Sequence, residues 1–385
     1  MADTGQGLYF HVNWGRMAVQ RAIPKTSAHL AALSLQSIAE PEALPAGWVT
    51  LKPRMSGICG SDMTLMKGQS SPYLRPLTSF PAVLGHEIVA EASGTRVVVE
   101  PSLSCGARRL PPCQMCAMGL ADDCLRRTDP ALGPGLMLGY HARLPGGWGD
   151  RLWAPEEQLV AVPDDMPDAR AVLTEPAAIV LTGLRRVEWQ SVKDVLVIGA
   201  GTIGLLAVAL ISELYPATDI VALAKYPHQA RMAMRMGAKR VADANPRHPA
   251  LLPVLGESWP TLPGYPPYFP RGFDVVVVAA GNASAVTEAS VWLKPDGQML
   301  MLGGVGSVRL DWTPVWSRHL RVVGSYGYGE AGVDTFRAIL SLFSVMRQPL
   351  EALVTHQYAL KNYRQALATV LGRRSEAIKT VFTPT

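Results

Sequence analysis

The chain has 385 residues, 48% hydrophobic and 17% charged, with a formal net charge of +5. At roughly 150 residues per domain this is two or three domains, large enough to bury a core without disulfides. The composition excludes a disordered or acidic-tail protein, and 35 glycines and 31 prolines without a Gly-X-Y period exclude collagen. No Lys/Arg run approaches a nucleic-acid-binding arm, and a basic cleft for an anionic cofactor accounts for the charge equally well.

The opening MADTGQGLYFHVNWGR lacks a basic stretch followed by an apolar run, so a cytoplasmic protein is expected. From Trp48 to Leu144, short apolar runs such as AVLGHEIVAEA and TRVVVEP are broken by Gly, Pro and Ser. They predict a β-rich domain of short strands. Near Asp194 the texture changes to strands alternating with helices. DVLVIGA reads as a buried strand, Gly204 to Glu213 as an apolar helix, and Asp219 to Ala224 as a second strand. His228 to Ala238 reads as a helix stopping at Gly237, and Phe273 to Gly281 as a third buried strand. Ala283 to Leu293 is predicted helical, and QMLMLGG after Pro295-Asp296-Gly297 is predicted to be a strand. Near-continuous apolar strands between helices imply a parallel sheet covered on both faces. The stretch Asn245 to Gly272 is too rich in proline for a strand or long helix and reads as an ordered insertion. A helix over Asp334 to Met346 and two strands, near Leu353 to Thr355 and at KTVFT, complete the chain. The uncharged run Val195 to Ile211 only just reaches the roughly 17 residues a membrane span needs, and three glycines sit at its centre.

Those glycines have a different explanation. Gly199-Ala200-Gly201-Thr202-Ile203-Gly204 fits G-x-G-x-x-G, directly after a buried strand and opening a helix. The first glycine permits the tight turn, the second lets backbone approach a pyrophosphate, and the third packs helix on strand. Amides at Thr202 and Ile203 then face the phosphates. Gly303, at the end of a later strand, borders the nicotinamide in this reading. NAD-specific sites carry Asp or Glu about 20 residues past the glycines, at the end of the second strand. Ala224 stands there, followed by Lys225 and Tyr226, with His228 close behind. Loss of the acid and gain of a cation predict a preference for NADP(H).

There are five cysteines. Cys105, Cys113, Cys116 and Cys124 fall within one short segment, which favours metal over disulfides and suits a closed tetrahedral structural zinc. Buried free thiols, an iron–sulfur cluster and a nucleic-acid zinc ribbon are the other readings of the same cluster. The fifth is Cys59 in GICGSD; His86 and Glu87 follow in GHE, and Glu175 in TEP. A thiolate, an imidazole and a carboxylate would make a three-ligand zinc site with one open position. Taken singly, each of these residues is equally a core or surface residue.

GICGSD, FPAVLGHE, the four-cysteine lobe, GGWGDRL, TEPAA, VLVIGAGTIG and THQYAL together resemble the zinc-containing medium-chain dehydrogenase/reductase superfamily, near its threonine- and sorbitol-dehydrogenase-like branch. The resemblance runs from about Trp48 to the C-terminus. It implies an α/β architecture: a GroES-like β-rich catalytic domain (1–180 and 329–385) interrupted by a doubly wound Rossmann domain (181–328). It also implies that Cys59, His86 and Glu175 hold a catalytic zinc, with Glu87 exchanging as a ligand. Ser61 would pass the substrate proton, Asp62 would support the zinc-bound histidine, and Lys379 would meet the cofactor pyrophosphate. The implied reaction is hydride transfer between a nicotinamide and the alcohol or carbonyl of a small molecule, by a homodimer or homotetramer without nucleic-acid or membrane partners. The QMLMLGG strand is expected to reach a sheet edge and pair across a two-fold axis. Trp148, Trp153 and Tyr140 are candidate pocket aromatics. Two departures stand out. Thr64 replaces the histidine that ends the family's proton relay, and GARRLPP separates Cys105 from Cys113. Thr64 leaves room for a second reading, a reductase of activated C=C or C=N bonds; a non-catalytic nicotinamide-binding protein is the third.

Overall fold

The computed structural model describes residues 5–12, 15, 32–245, 248–265, 267–329, 332–372 and 376–384. They form two compact units: Met1–Glu175 with Tyr328–Val345 and Val354–Thr385, and Pro176–Gly327 with Met346–Leu353. The expected boundaries lay at 180/181 and 328/329. The structure also gives the short segment Met346–Leu353 to the second unit.

The first unit is built on a seven-stranded sheet. Its strands run in the order Val354–Ala359, Lys379–Thr383, Trp48–Gly57, Ile88–Ala92, Thr95–Val99 and Leu159–Ala161, with Leu152–Pro155 also paired to Trp48–Gly57. Pairing is antiparallel except between Val354–Ala359 and Lys379–Thr383. Phe382 and Val381 lie opposite Ser56 and Gly57, so the end of the chain closes onto the strand that leads into GICGSD. Trp148 is fully buried, its Nε1 donating to the Gly57 carbonyl at 3.0 Å and its ring edge-on to Phe382. A second sheet of three strands, Leu33–Ser37, Gln6–Phe10 and Ala82–Val83, flanks the approach to GHE. The first two of these strands carry no motif and lie before the region where the resemblance begins. Much of the opening that bears on compartment lies outside the described residues.

The second unit is a six-stranded parallel sheet. Its spatial order is Arg240–Ala242, Asp219–Leu223, Asp194–Ile198, Phe273–Val278, Leu293–Met301, Arg321–Gly324. Counted along the chain from Asp194–Ile198, that is the 3-2-1-4-5-6 order of a Rossmann sheet. The central strands read as continuous apolar runs because they are buried on both sides. One expectation is corrected: the strand holding QMLML is internal, between Phe273–Val278 and Arg321–Gly324, and the latter is the sheet edge. The strand Leu293–Met301 pairs on both sides over Gln298–Met301, starts earlier than expected, and carries the Pro295-Asp296-Gly297 turn within it. Among the described residues no helix is long and apolar enough to cross a membrane. The run Val195 to Ile211 is instead the first strand, the glycine turn and most of the helix Thr202–Leu214.

Candidate active site and metal centres

Cys59 lies two residues past the strand Trp48–Gly57 and caps the helix Gly60–Met66, its backbone N–H donating to Asp62 Oδ2 at 2.9 Å. That bond turns the helix start so that Cys59, Ser61 and Asp62 face the GHE loop. Cys59, His86 and Glu87 present one ligand atom each, all within 4.8 Å of one another. His86 is only 4% exposed. Asp62 Oδ1 lies 3.6 Å from its Nδ1, and Ser61 Oγ lies 3.5 Å from its Nε2. Among the described residues the buried Nδ1 has no hydrogen-bond partner. A soft thiol, an imidazole steadied by a carboxylate, and a second carboxylate fit a zinc ion.

Glu175, expected in this set, lies outside the 4.8 Å group. It begins the helix Thr174–Leu184, and its Oε1 accepts the Tyr328 hydroxyl at 2.8 Å. Burial pushes its carboxyl up to about 7, against the pull of His86 and with the push of Glu87. Lys379, expected to meet a pyrophosphate, is 3% exposed. Its ammonium lies 2.6 and 2.5 Å from the two Glu87 oxygens and donates to the Ile58 carbonyl at 3.2 Å. Thr64, at the position of the missing relay histidine, donates its hydroxyl to the Gly60 carbonyl at 2.9 Å. Of the three aromatics expected near a pocket, Trp148 and Trp153 are core residues; Tyr140 alone bonds to the site.

The four cysteines of the lobe also meet, Cys105, Cys113, Cys116 and Cys124 lying within 4.8 Å of one another. The Cys116 backbone N–H pulls the Cys113 thiol down to about 6, while burial pushes Cys116 and Cys124 up. Four thiols this close cannot all ionise without a cation among them, which is the condition a tetrahedral zinc satisfies. The GARRLPP insertion does not pull Cys105 away. Its Arg108 is buried and donates to the carbonyls of Leu103, Arg127, Gly133 and Gly135, pinning the loop to the lobe.

In the second unit, Gly199 sits at φ 102° and Gly201 caps the helix Thr202–Leu214. A Cβ on Gly204 would strike the Gly199 carbonyl, whereas one on Gly201 would meet nothing within 4 Å. The packed glycine and the open one leave bare backbone at a helix start, an arrangement that could hold a pyrophosphate. A Cβ on Gly303 would lie 3.0–3.1 Å from Ala280 backbone, so a strand end is held bare there. Ala224 is buried, its N–H bonded to the Ala242 carbonyl at 2.9 Å. Lys225 is exposed, its Nζ 5.5 Å from the centroid of Tyr226, whose ring stacks on His228.

Residues 45–164 match the alcohol dehydrogenase GroES-like domain family, and residues 202–344 the zinc-binding dehydrogenase family. An L-threonine 3-dehydrogenase of Chelativorans sp. (strain BNC1) is 27% identical over 91% of this chain and 94% of its own. A 2R,3R-butanediol dehydrogenase from Bacillus subtilis shares the fold at TM-score 0.72 and 22% identity, covering 99% of this chain and 100% of its own. An Escherichia coli CFT073 alcohol dehydrogenase complexed with NADH does so at TM-score 0.75 and 20% identity, covering 98% and 99%. The chain belongs to the zinc-containing medium-chain alcohol dehydrogenase superfamily. It is a zinc-dependent, NAD(P)-linked oxidoreductase acting on CH–OH groups of small molecules.

Two residues of the site, Asp122 and Tyr328, carry no signal in the sequence, and Tyr140, read there as a pocket aromatic, carries none for its bond to Ser61. Asp122 accepts the backbone N–H groups of Tyr328 and Gly329 at 2.6 and 3.0 Å, and Tyr328 bonds Glu175 across 153 positions. Tyr140 reaches Ser61 across 79. Such pairings follow no local period.

Proposed function

We propose that the chain interconverts a secondary alcohol and its ketone with NADP(H), at a zinc held by Cys59, His86 and a glutamate. The observation that carries this reading is the meeting of Cys59, His86 and Glu87 beside Ser61. Glu175 serves as the third ligand and Glu87 as the carboxylate that exchanges with it; Lys379 neutralises Glu87 while it is off the metal. A zinc ion there supplies Lewis acidity toward the substrate oxygen. Ser61, exposed and beside His86, passes the substrate hydroxyl proton on oxidation, accepting it as its own hydroxyl proton leaves to solvent, and the relay runs in reverse on reduction. The nicotinamide supplies the hydride chemistry; Gly199, Gly201, Thr202, Ile203, Gly204 and Gly303 position it. Ala224, which excludes no 2′-phosphate, and Lys225 with Tyr226, which bind one, support NADP(H). The lobe cysteines hold a second, structural zinc. Catalysis belongs to the first unit and cofactor binding to the second. The exposed edge strand Arg321–Gly324 supports a homodimer or homotetramer, and five free thiols support the cytoplasm.

The test is cofactor turnover with a panel of alcohols headed by L-threonine, the substrate named for its relatives, and in reverse with ketones, imines and enals. Alcohol oxidation with two zinc ions per chain is the expected result. Reduction of imines or enals without any alcohol oxidation would overturn it. That outcome would establish the second reading, which the diversion of Thr64 to the Gly60 carbonyl favours.

A further inference from the structure

We propose that Tyr328 is a positioning residue that draws Glu175 away from the metal, and so sets the balance between Glu87 and Glu175 as the carboxylate ligand. The inference rests on the exchange of the two glutamates read above. It gives Glu175 an off-metal partner, as Lys379 is for Glu87.

If two carboxylates take turns at one ligand position, the idle one needs a place to go. Both are buried, so neither retires into water without a rearrangement of its surroundings. Glu87 faces Lys379, whose ammonium lies 2.6 Å from its Oε1. For Glu175 the structure supplies a neutral donor instead, the Tyr328 hydroxyl at 2.8 Å from its Oε1.

Tyr328 is built to hold that hydroxyl still. Its backbone N–H and that of Gly329 both donate to Asp122 Oδ2, at 2.6 and 3.0 Å. Its buried ring meets the buried ring of Phe336 edge-on, with centroids 5.1 Å apart. These contacts fix backbone and ring without help from Glu175. The hydroxyl therefore offers its proton at one point, and the carboxylate comes to it. Where Glu175 accepts that bond, it lies outside the 4.8 Å group formed by Cys59, His86 and Glu87. The bond and the metal draw the carboxylate to different places. A phenol suits a bond that is broken at every exchange, because it gives one hydrogen bond and brings no charge to hold the carboxylate. The opposite role, in which Tyr328 steadies Glu175 as a ligand, predicts the opposite sign below.

The test compares zinc affinities of the full-length chain. Each protein is dialysed against graded free zinc, and its retained zinc is counted by elemental analysis. The step that Cys59→Ser removes belongs to the site of Cys59 and His86. In wild type and in Y328F, the factor by which E175Q weakens that site is divided by the factor by which E87Q weakens it. This quotient reports how far the site relies on Glu175 rather than Glu87. Loss of the hydroxyl removes the competitor for Glu175. The quotient is expected to rise roughly three- to tenfold in Y328F, the size of one hydrogen bond, and the site to bind zinc no more weakly than in wild type. A merely structural role would move both factors together and leave the quotient as it was. An unchanged quotient overturns the proposal while the exchange stands. A lowered one overturns it as well and makes Tyr328 a support of Glu175 on the metal. Should Y328F lose its fold by Tm, Tyr328→Met, which fills much of the same space without a donor, is read by the same quotient. If E87Q leaves the affinity unchanged in both backgrounds, Glu87 is no ligand. The exchange read above then falls, and the proposal with it.

Discussion

His141 is buried with both ring nitrogens committed: Nδ1 accepts the Arg143 backbone N–H at 3.1 Å, and Nε2 lies 2.9 Å from the Leu132 carbonyl. That pattern suits the neutral ring alone, because a proton on Nδ1 would meet another N–H. Burial, helped by the Arg108 and Arg143 guanidinium groups, drives its pKa down to about 4. The unfolded chain binds this proton near pH 6.5 and the folded chain does not, so stability is complete above that value and falls as pH drops toward 4. The loss is on the order of 2–3 kcal/mol. His141→Asn is expected to flatten this acid limb, as followed by urea unfolding between those pH values; an unchanged limb would mean another group carries it. At the metal, His86→Ala or Cys59→Ala should lower turnover by roughly 10³-fold or more while the cofactor still binds. Cofactor titration by fluorescence, run beside steady-state rates, checks both halves. At the ribose, Ala224→Asp with Lys225→Ala should shift kcat/KM from NADP(H) toward NAD(H) by about one to two orders of magnitude. A wild-type ratio already favouring NAD(H) would show that Lys225 is a solvated surface residue.

At the scale of elements, the cysteine lobe does more than hold its thiols together. Asp122, between Cys116 and Cys124, receives the Tyr328 and Gly329 backbone, and Tyr328 in turn holds Glu175. Collapse of the lobe should therefore disturb Glu175 as well as stability. Cys116→Ser is expected to leave about one zinc per chain by elemental analysis and to lower Tm by roughly 10 °C, since structural zinc contributes folding free energy. Two zinc ions retained in that variant would contradict the assignment. The helix Pro227–Met236 ends at Gly237, with φ 111°, where the sequence predicts its stop, and the glycine turn sits between the strand and helix that define it. These elements were legible because their signals are local: a period, a cap, a turn residue. The Gln6–Phe10 and Leu33–Ser37 strands, the internal position of Leu293–Met301, and the Tyr140 and Tyr328 bonds were not. Each depends on partners far along the chain that no window of sequence contains. The lobe is intermediate. Its spacing pointed to zinc, but Arg108, which pins the insertion that breaks that spacing, reads in sequence as one of many surface arginines.

For the whole molecule, the strand Arg321–Gly324 ends the six-stranded sheet with Val322 47% exposed, an apolar edge of the kind that pairs with another chain. Val322→Lys is expected to convert the proposed homo-oligomer to a smaller species in light scattering at micromolar concentration. A wild-type chain that is monomeric there would remove this edge as an interface. The first unit is assembled from both ends of the chain, and that has a consequence during synthesis. Glu87 is buried against Lys379, 292 residues later, and the strand Trp48–Gly57 finds one of its neighbours only in Lys379–Thr383. At roughly 5–20 residues per second, a ribosome takes about 15–60 s to travel between those two residues. All six strands of the parallel sheet emerge within that interval, while the first unit waits with the strand Trp48–Gly57 short of one neighbour and Glu87 lacking its cation. That unit can close only once Lys379–Thr383 has emerged, so a chain cut short just before Lys379 is expected to yield a folded six-stranded sheet beside an unfinished first unit.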